Sequence, residues 1–177
     1  MASRDLNDLI PEVKQHAEKV IDVCGQVGVD ILIYCTLRPL EEQAKLYRQS
    51  RSWVEIKKKI LKYKDRGFGF LADVIDSVGP CTGPHVTNAG PGESWHNYGE
   101  AWDAVPLIGG KAAWSYQDAR SEWDAYGECV RQVGLQWAGD WTQFREYPHA
   151  QLRSGGNPLK QYGPDEIQKM LQEHNLI

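Results

Sequence analysis

The apolar pattern of this chain shifts in balance across one loop, and that shift constrains the fold more than any other feature. Up to residue 78 apolar residues recur mostly at helical spacing, with one extended run at 30–36, and after a stretch rich in Gly, Pro, Thr and Asn (80–92) short extended runs become common between the remaining helices. Val13, Ala17, Val20, Ile21 and Cys24 form the stripe of an amphipathic helix starting near Pro11. Residues 30–36 are apolar and rich in β-branched side chains, which predicts a buried strand. Pro39 opens a second helix, with Glu41 and Glu42 at the favourable end of its dipole. Trp53, Ile56, Ile60 and Tyr63 share one face of a helix over 53–66. Phe70, Leu71, Val74, Ile75 and Val78 mark another, stopped by Gly79-Pro80. Beyond the loop, 101–107 and 111–114 flank Ile-Gly-Gly as a hairpin. Trp123, Tyr126, Val130 and Val133 define a helix ending at Gly134; 135–138 and 149–152 read as strands, and 164–174 as a terminal helix. Helices first and then short strands predict an α+β fold, a small, mostly antiparallel sheet flanked by helices.

At 177 residues the length predicts one domain that buries its own core. Residues 52–86 look like an insertion, and 153–177 like a C-terminal extension carrying a helix. With a formal charge of −4 the chain as a whole is not an electrostatic nucleic-acid binder. No apolar run approaches the roughly 20 residues of a membrane span, and no secretory signal is visible at the N-terminus. The four cysteines lie far apart, as expected of reduced thiols inside a cell. Cys24, Cys35 and Cys129 fall in apolar segments and read as small core residues. Lys57, Lys58, Lys59, Lys62, Lys64 and Arg66 crowd one helix. A solvated face is the simple reading, and attraction to an anionic wall polymer or membrane surface the functional one.

Two segments carry chemistry. In Ser94-Trp-His96-Asn-Tyr-Gly99-Glu-Ala-Trp-Asp103, seven residues separate imidazole from carboxylate. Their Cα atoms would stand about 10 Å apart on a helix and about 23 Å apart on a strand, so shared chelation requires a turn. Gly99 supplies the freedom for one. In Asp140-Trp141-Thr-Gln-Phe-Arg-Glu146-Tyr-Pro148-His149-Ala-Gln151, Pro148 keeps Tyr147 out of helical geometry, so Glu146 and His149 are not successive turns of one helix. His149 and Gln151 would share a strand face. Two imidazoles and a carboxylate suit zinc with one position open to water, and Glu146 is the spare acid for that water's proton. A single histidine beside a carboxylate is more often just hydrogen-bonded, and the two segments together raise the metal reading.

SWHNYGEAWD resembles the SxHxxGxAxD motif of the M15 (LAS-type) zinc peptidases, which cut peptidoglycan peptides. VTNAGPGESWHNYGEAWDAVP, GDWTQFREYPHAQL and TLRPLEEQAKLYRQSR look like the L-alanyl-D-glutamate endopeptidase branch, which includes phage endolysins; the resemblance spans residues 8–152. It implies a zinc site in a cleft at the sheet, with His96, Asp103 and His149 as ligands to one Zn²⁺. It also implies Glu146 as general base and Arg38 at the substrate carbonyl or developing oxyanion. Ser94 would hydrogen-bond near the metal, Asp140 and Trp141 would be structural or line the substrate, and Gln151 would orient His149. Read without the resemblance, Arg38 would simply pair with Glu41 or Glu42.

Two departures stand out. Many endopeptidases of the branch carry Asp where this chain has Glu146, and the 52–86 segment is longer than the usual link between the first two motifs. The implied activity is a zinc-dependent hydrolase of the peptidoglycan stem peptide. It would be monomeric, made in the host bacterial cytoplasm as a phage endolysin and acting on the cell wall after release. The alternatives are a D-alanyl-D-alanine carboxypeptidase or dipeptidase on the same fold, or a non-catalytic cell-wall binding module.

Overall fold

The computed structural model describes residues 1–177. The chain forms two compact units from interleaved segments: Ser3–Leu37 with Gly99–Ser154, and Met1–Ala2 with Arg38–Tyr98 and Gly155–Ile177.

The first unit holds the sheet. Its strands are β1 (Asp30–Cys35), β2 (Ala101–Ile108), β3 (Lys111–Ala112), β4 (Gln136–Trp137) and β5 (His149–Gln151). The order is β1-β2-β5-β4, with β3 also on β2, and every pairing is antiparallel. Two helices belong to the same unit, α1 (Pro11–Gln26) and α5 (Arg120–Gln132). Helix α1 takes Pro as its first residue, where the missing N–H costs nothing, and buries Val13, Ala17, Val20 and Cys24. Trp123, Tyr126 and Val130 of α5 join them in a core that also holds Trp102, Ala104 and Ala150. A strand alternates faces, so the side chains between these, Asp103, His149 and Gln151, point away from that core. Gly109 and Gly110, at φ 57° and 76°, make the two-residue turn between β2 and β3. The expected strand 111–114 ends at Ala112, and the Trp114 ring packs edge-on to Tyr34 at 5.1 Å instead.

A register shift in β1 bears on the chemistry. Ile33 pairs with Ala104 and Cys35 with Asp103, so Tyr34 is an extra residue on this edge strand. Directly opposed residues share a face. The bulge thus turns Cys35 to the side of Asp103, where unbroken alternation would have sent it to the side of Trp102.

The second unit is helical: α2 (Leu40–Arg48), α3 (Trp53–Asp65), α4 (Gly69–Ser77) and α6 (Pro164–Glu173). Ser52 and Glu55 cap α3 reciprocally, satisfying two backbone donors at its start. Ile56, Tyr63, Leu71 and Ile75 are buried, and the Arg48 guanidinium donates to the Ile75 carbonyl at 2.8 Å, capping α4. No helix or strand occupies residues 78–94, the expected loop and a little beyond it.

Two expectations about α3 need correction. Trp53 is 47% exposed, not core. At about 100° per residue it lies roughly 60° round from Ile56, off the buried stripe, and it sits beside the cations of Arg48 and Lys57 at 5.4 and 5.5 Å. Lys59 is not part of a solvated face, because its ammonium forms a buried ion pair with Glu93. Burial pulls its pKa below the ordinary lysine value even with Glu93 pulling the other way. No helix of the chain is long and apolar enough to cross a membrane.

Candidate metal centre

In the sheet unit, antiparallel pairing sets Asp103 of β2 opposite His149 of β5. His149 Nδ1 lies 3.2 Å from Asp103 Oδ1, and Nε2 lies 3.0 Å from Gln151 Oε1. Gln151 is itself oriented, since its amide nitrogen donates to the Arg153 carbonyl at 2.6 Å. Its oxygen therefore faces the ring, and Nε2 is the nitrogen that carries hydrogen. Nδ1, on the Asp103 side, is left as the nitrogen that can give a lone pair to a cation. His149, Gln151 and Asp103 are all buried.

Burial lowers the pKa of His149, but the hydrogen bond and charge of Asp103, with help from Glu146 and Gln151, outweigh it and hold the imidazole above its ordinary value. The pocket is thus arranged to hold positive charge at this ring, as a proton or as a metal ion. Cys35 adds a further donor: its sulfur lies within 4.8 Å of an Asp103 carboxylate oxygen. Its apolar neighbours had placed it in the core, and it is indeed only 3% exposed. The bulge that turns it toward Asp103 leaves no mark in the periodicity.

Glu146 stands three residues before β5. It is half-buried, and its carbonyl accepts the His149 N–H at 3.4 Å. The Trp141 ring lies 5.5 Å from that of His149, close enough to shield one side of it. Asp140 is bonded through both oxygens to the Arg131 guanidinium at 3.0 Å. Gly99 has φ 61°, the left-handed geometry that lets the chain turn just before β2.

His96 and Arg38 belong to the helical unit. His96 is buried on a short 3-10 turn (Trp95–Tyr98), and its carbonyl accepts the Arg38 N–H at 2.9 Å. Asn97 bridges the same two segments: its amide nitrogen donates to the Arg38 carbonyl at 2.8 Å, and its oxygen accepts the Gly92 N–H at 2.9 Å. The Arg38 guanidinium donates to Gln43 at 2.9 Å, and Gln43 donates in turn to the Ala89 carbonyl at 2.7 Å. Ser94 opens the turn, its carbonyl accepting the Asn97 N–H at 3.0 Å. Sequence reasoning missed Gln43 and Asn97; both are fully buried amides, and only the fold reveals what they hold.

Imidazole and carboxylate donors with an oriented ring hydrogen bond fit a zinc ion. A peptidase M15 model described as D-alanyl-D-alanine carboxypeptidase matches residues 87–152. Over 152 residues the chain is 32% identical to the peptidoglycan L-alanyl-D-glutamate endopeptidase CwlK of Bacillus subtilis (strain 168), covering 82% of this chain and 74% of CwlK. It is 25% identical over 166 residues to the L-alanyl-D-glutamate peptidase of Listeria phage A118, covering 93% of this chain and 43% of that one, so it spans less than half of the phage protein. Among solved structures, the L-Ala D-Glu endopeptidase ChiX of Serratia marcescens aligns with TM-score 0.46 and 17% identity, covering 93% of this chain and 92% of ChiX. By the long match to CwlK, and with the family model lying over both chemistry-bearing segments, the chain belongs to the M15 peptidase family.

Proposed function

We propose that this chain is a zinc-dependent peptidoglycan hydrolase that cuts the L-alanyl-D-glutamate bond of the stem peptide. The observation that carries the reading is the 32% identity to CwlK over 152 residues, and the Asp103–His149 pair across β2 and β5 supports it. His96, Asp103 and His149 would hold the ion, with Gln151 fixing the His149 ring. When bound, zinc supplies Lewis acidity to a water molecule and to the scissile carbonyl.

The remaining chemistry falls to the chain's own side chains. Glu146 takes a proton from the attacking water and delivers it to the leaving amine nitrogen, a role its extra methylene over Asp leaves intact. Arg38 donates to the carbonyl oxygen as negative charge builds there. Ser94 and Trp141 line the approach, and Asp140 holds the segment before Glu146 through Arg131. Residues 1–177 would act as one catalytic domain and as a monomer, with 52–86 an insertion and 153–177 an extension. The phage relative favours an endolysin held in the host cytoplasm until release.

Digestion of purified peptidoglycan with mass analysis of the products is the test. New L-alanine C-termini and D-glutamate N-termini, lost on chelation and restored by zinc, are expected. Free D-alanine would replace the reading with the carboxypeptidase activity that the matched family model describes, and no product would leave a wall-binding module.

A further inference from the structure

We propose that the outward face of α3 docks this protein on an anionic lipid surface, independently of its hydrolytic activity. At about 100° per residue, Trp53, Lys64, Lys57, Leu61, Val54, Asp65 and Lys58 form one contiguous arc of roughly 140°, with Asp65 its single acid. Within that arc Trp53, Val54 and Leu61 are 47%, 62% and 59% exposed. The opposite side carries Ile56 and Tyr63, both buried, so α3 is apolar on two faces and only one is covered within its unit. Large exposed apolar side chains gathered on one helix mark a surface that meets something else.

The charge says what that is. Trp53 to Arg66 holds six basic and two acidic residues in a chain whose formal charge is −4. Lys59 is neutralised by Glu93, Glu55 is occupied by the Ser52 cap and Arg66 donates to the Leu159 carbonyl, so the lysines left outside are Lys57, Lys58, Lys62 and Lys64, against one remaining exposed acid, Asp65. A dissolved polyanion would be served by these lysines and at most the Trp53 ring, and it offers Val54 and Leu61 no apolar surface to bury against. A bilayer boundary serves both sets: apolar side chains enter the headgroup region while lysine stems reach back to lipid phosphates. Trp53 is held in place between Arg48 and Lys57, and an indole is well suited to that depth. The 13-residue helix is too short to cross a membrane, so it lies on the surface.

Co-sedimentation of the full chain with vesicles tests the proposal. Binding to phosphatidylglycerol-containing vesicles and not to pure phosphatidylcholine is expected. K57A/K58A should weaken it about thirtyfold, since each lysine near such a surface contributes about a fivefold factor. W53S/L61S should weaken it at least tenfold. Neither pair touches Ile56, Lys59 or Tyr63, and thermal melts check that both variants stay folded. Absence of binding to the anionic vesicles overturns the proposal. So does retention of binding by W53S/L61S together with equal affinity for soluble polyphosphate, which would make the face a polyanion site. Self-association without lipid that W53S/L61S abolishes would assign the face to a second copy and overturn it as well.

Discussion

Asp103 and His149 are held by strand register, whereas His96 and Arg38 are held by a few buried amides bonded to loop carbonyls. Behind the first pair, Trp102, Ala104 and Ala150 lie in the core, and the antiparallel ladder ties the backbone on both sides. Shifting either side chain there means breaking several backbone bonds and exposing that core at once. The turn around His96 has no ladder; two backbone bonds, from Arg38 N–H to the His96 carbonyl and from Asn97 N–H to the Ser94 carbonyl, and the fully buried amides of Asn97 and Gln43 carry its geometry one hydrogen bond at a time. A sheet gives precision through redundancy, and a loop gives it only if every buried polar group has its partner.

Chemistry on the sheet side supplies the largest effect. Glu146→Ala is expected to keep its zinc, measured as metal content, while kcat falls by about 10²–10⁴, the usual contribution of a general base. Loss of zinc along with turnover would make Glu146 a ligand and redraw the sheet half of the contrast. Gln151→Leu should come next. Without its amide the His149 ring loses its orienting partner, and zinc affinity, read by competition with a chromophoric chelator, should drop about 10–100-fold. Unchanged affinity would mean that the strand alone orients the ring.

On the loop side, Asn97→Ala leaves the Gly92 N–H and the Arg38 carbonyl without their partner. Each unsatisfied buried group costs about 1–3 kcal/mol, so denaturant melts should show a loss in that range or above it. Substrate KM and kcat should worsen through Arg38 even where the variant is folded. A neutral result would show that the turn keeps its shape without the bridge.

The sequence reading went furthest where periodicity and backbone agree. Helix α1 starts at Pro11, the Gly109-Gly110 turn is where Ile-Gly-Gly placed it, and His149 and Gln151 share a strand face. It stopped where tertiary contacts decide. Trp53 fitted an apolar stripe at helical spacing but lies off the buried face, and Lys59 looked solvated but pairs with Glu93 across 34 residues. Cys35 read as core because a one-residue bulge is silent in composition, yet that bulge turns its sulfur toward Asp103. Gln43 and Asn97 escaped notice because an amide in a helix or turn carries no signal until its partners are known.

His149 makes the contrast sensitive to pH. Burial disfavours its charged form, but Asp103, Glu146 and Gln151 outweigh burial and raise its pKa in the fold. A raised imidazole stabilises the protonated native state. In the metal-free protein that contribution is fully present below about pH 6.5, the unfolded value, and is lost as pH rises through the higher folded value. Denaturant melts of metal-free protein should record this decline, and His149→Gln should flatten it. Added zinc should reverse the trend, because the ion needs the unprotonated ring and so stabilises more as pH rises.

The smallest effect is expected at Asp140, beside the chemistry in sequence. Its carboxylate meets Arg131 at 3.0 Å, with both side chains more than a third exposed. Such a pair is worth about 1 kcal/mol or less, screened further by salt. Asp140→Ala should therefore lower the melting midpoint slightly at low ionic strength and not at high, with zinc affinity unchanged. If kcat also fell by tenfold or more, the ion pair would be setting the path of the chain from Trp141 to Glu146. The sheet side would then depend, like the loop side, on a single polar contact.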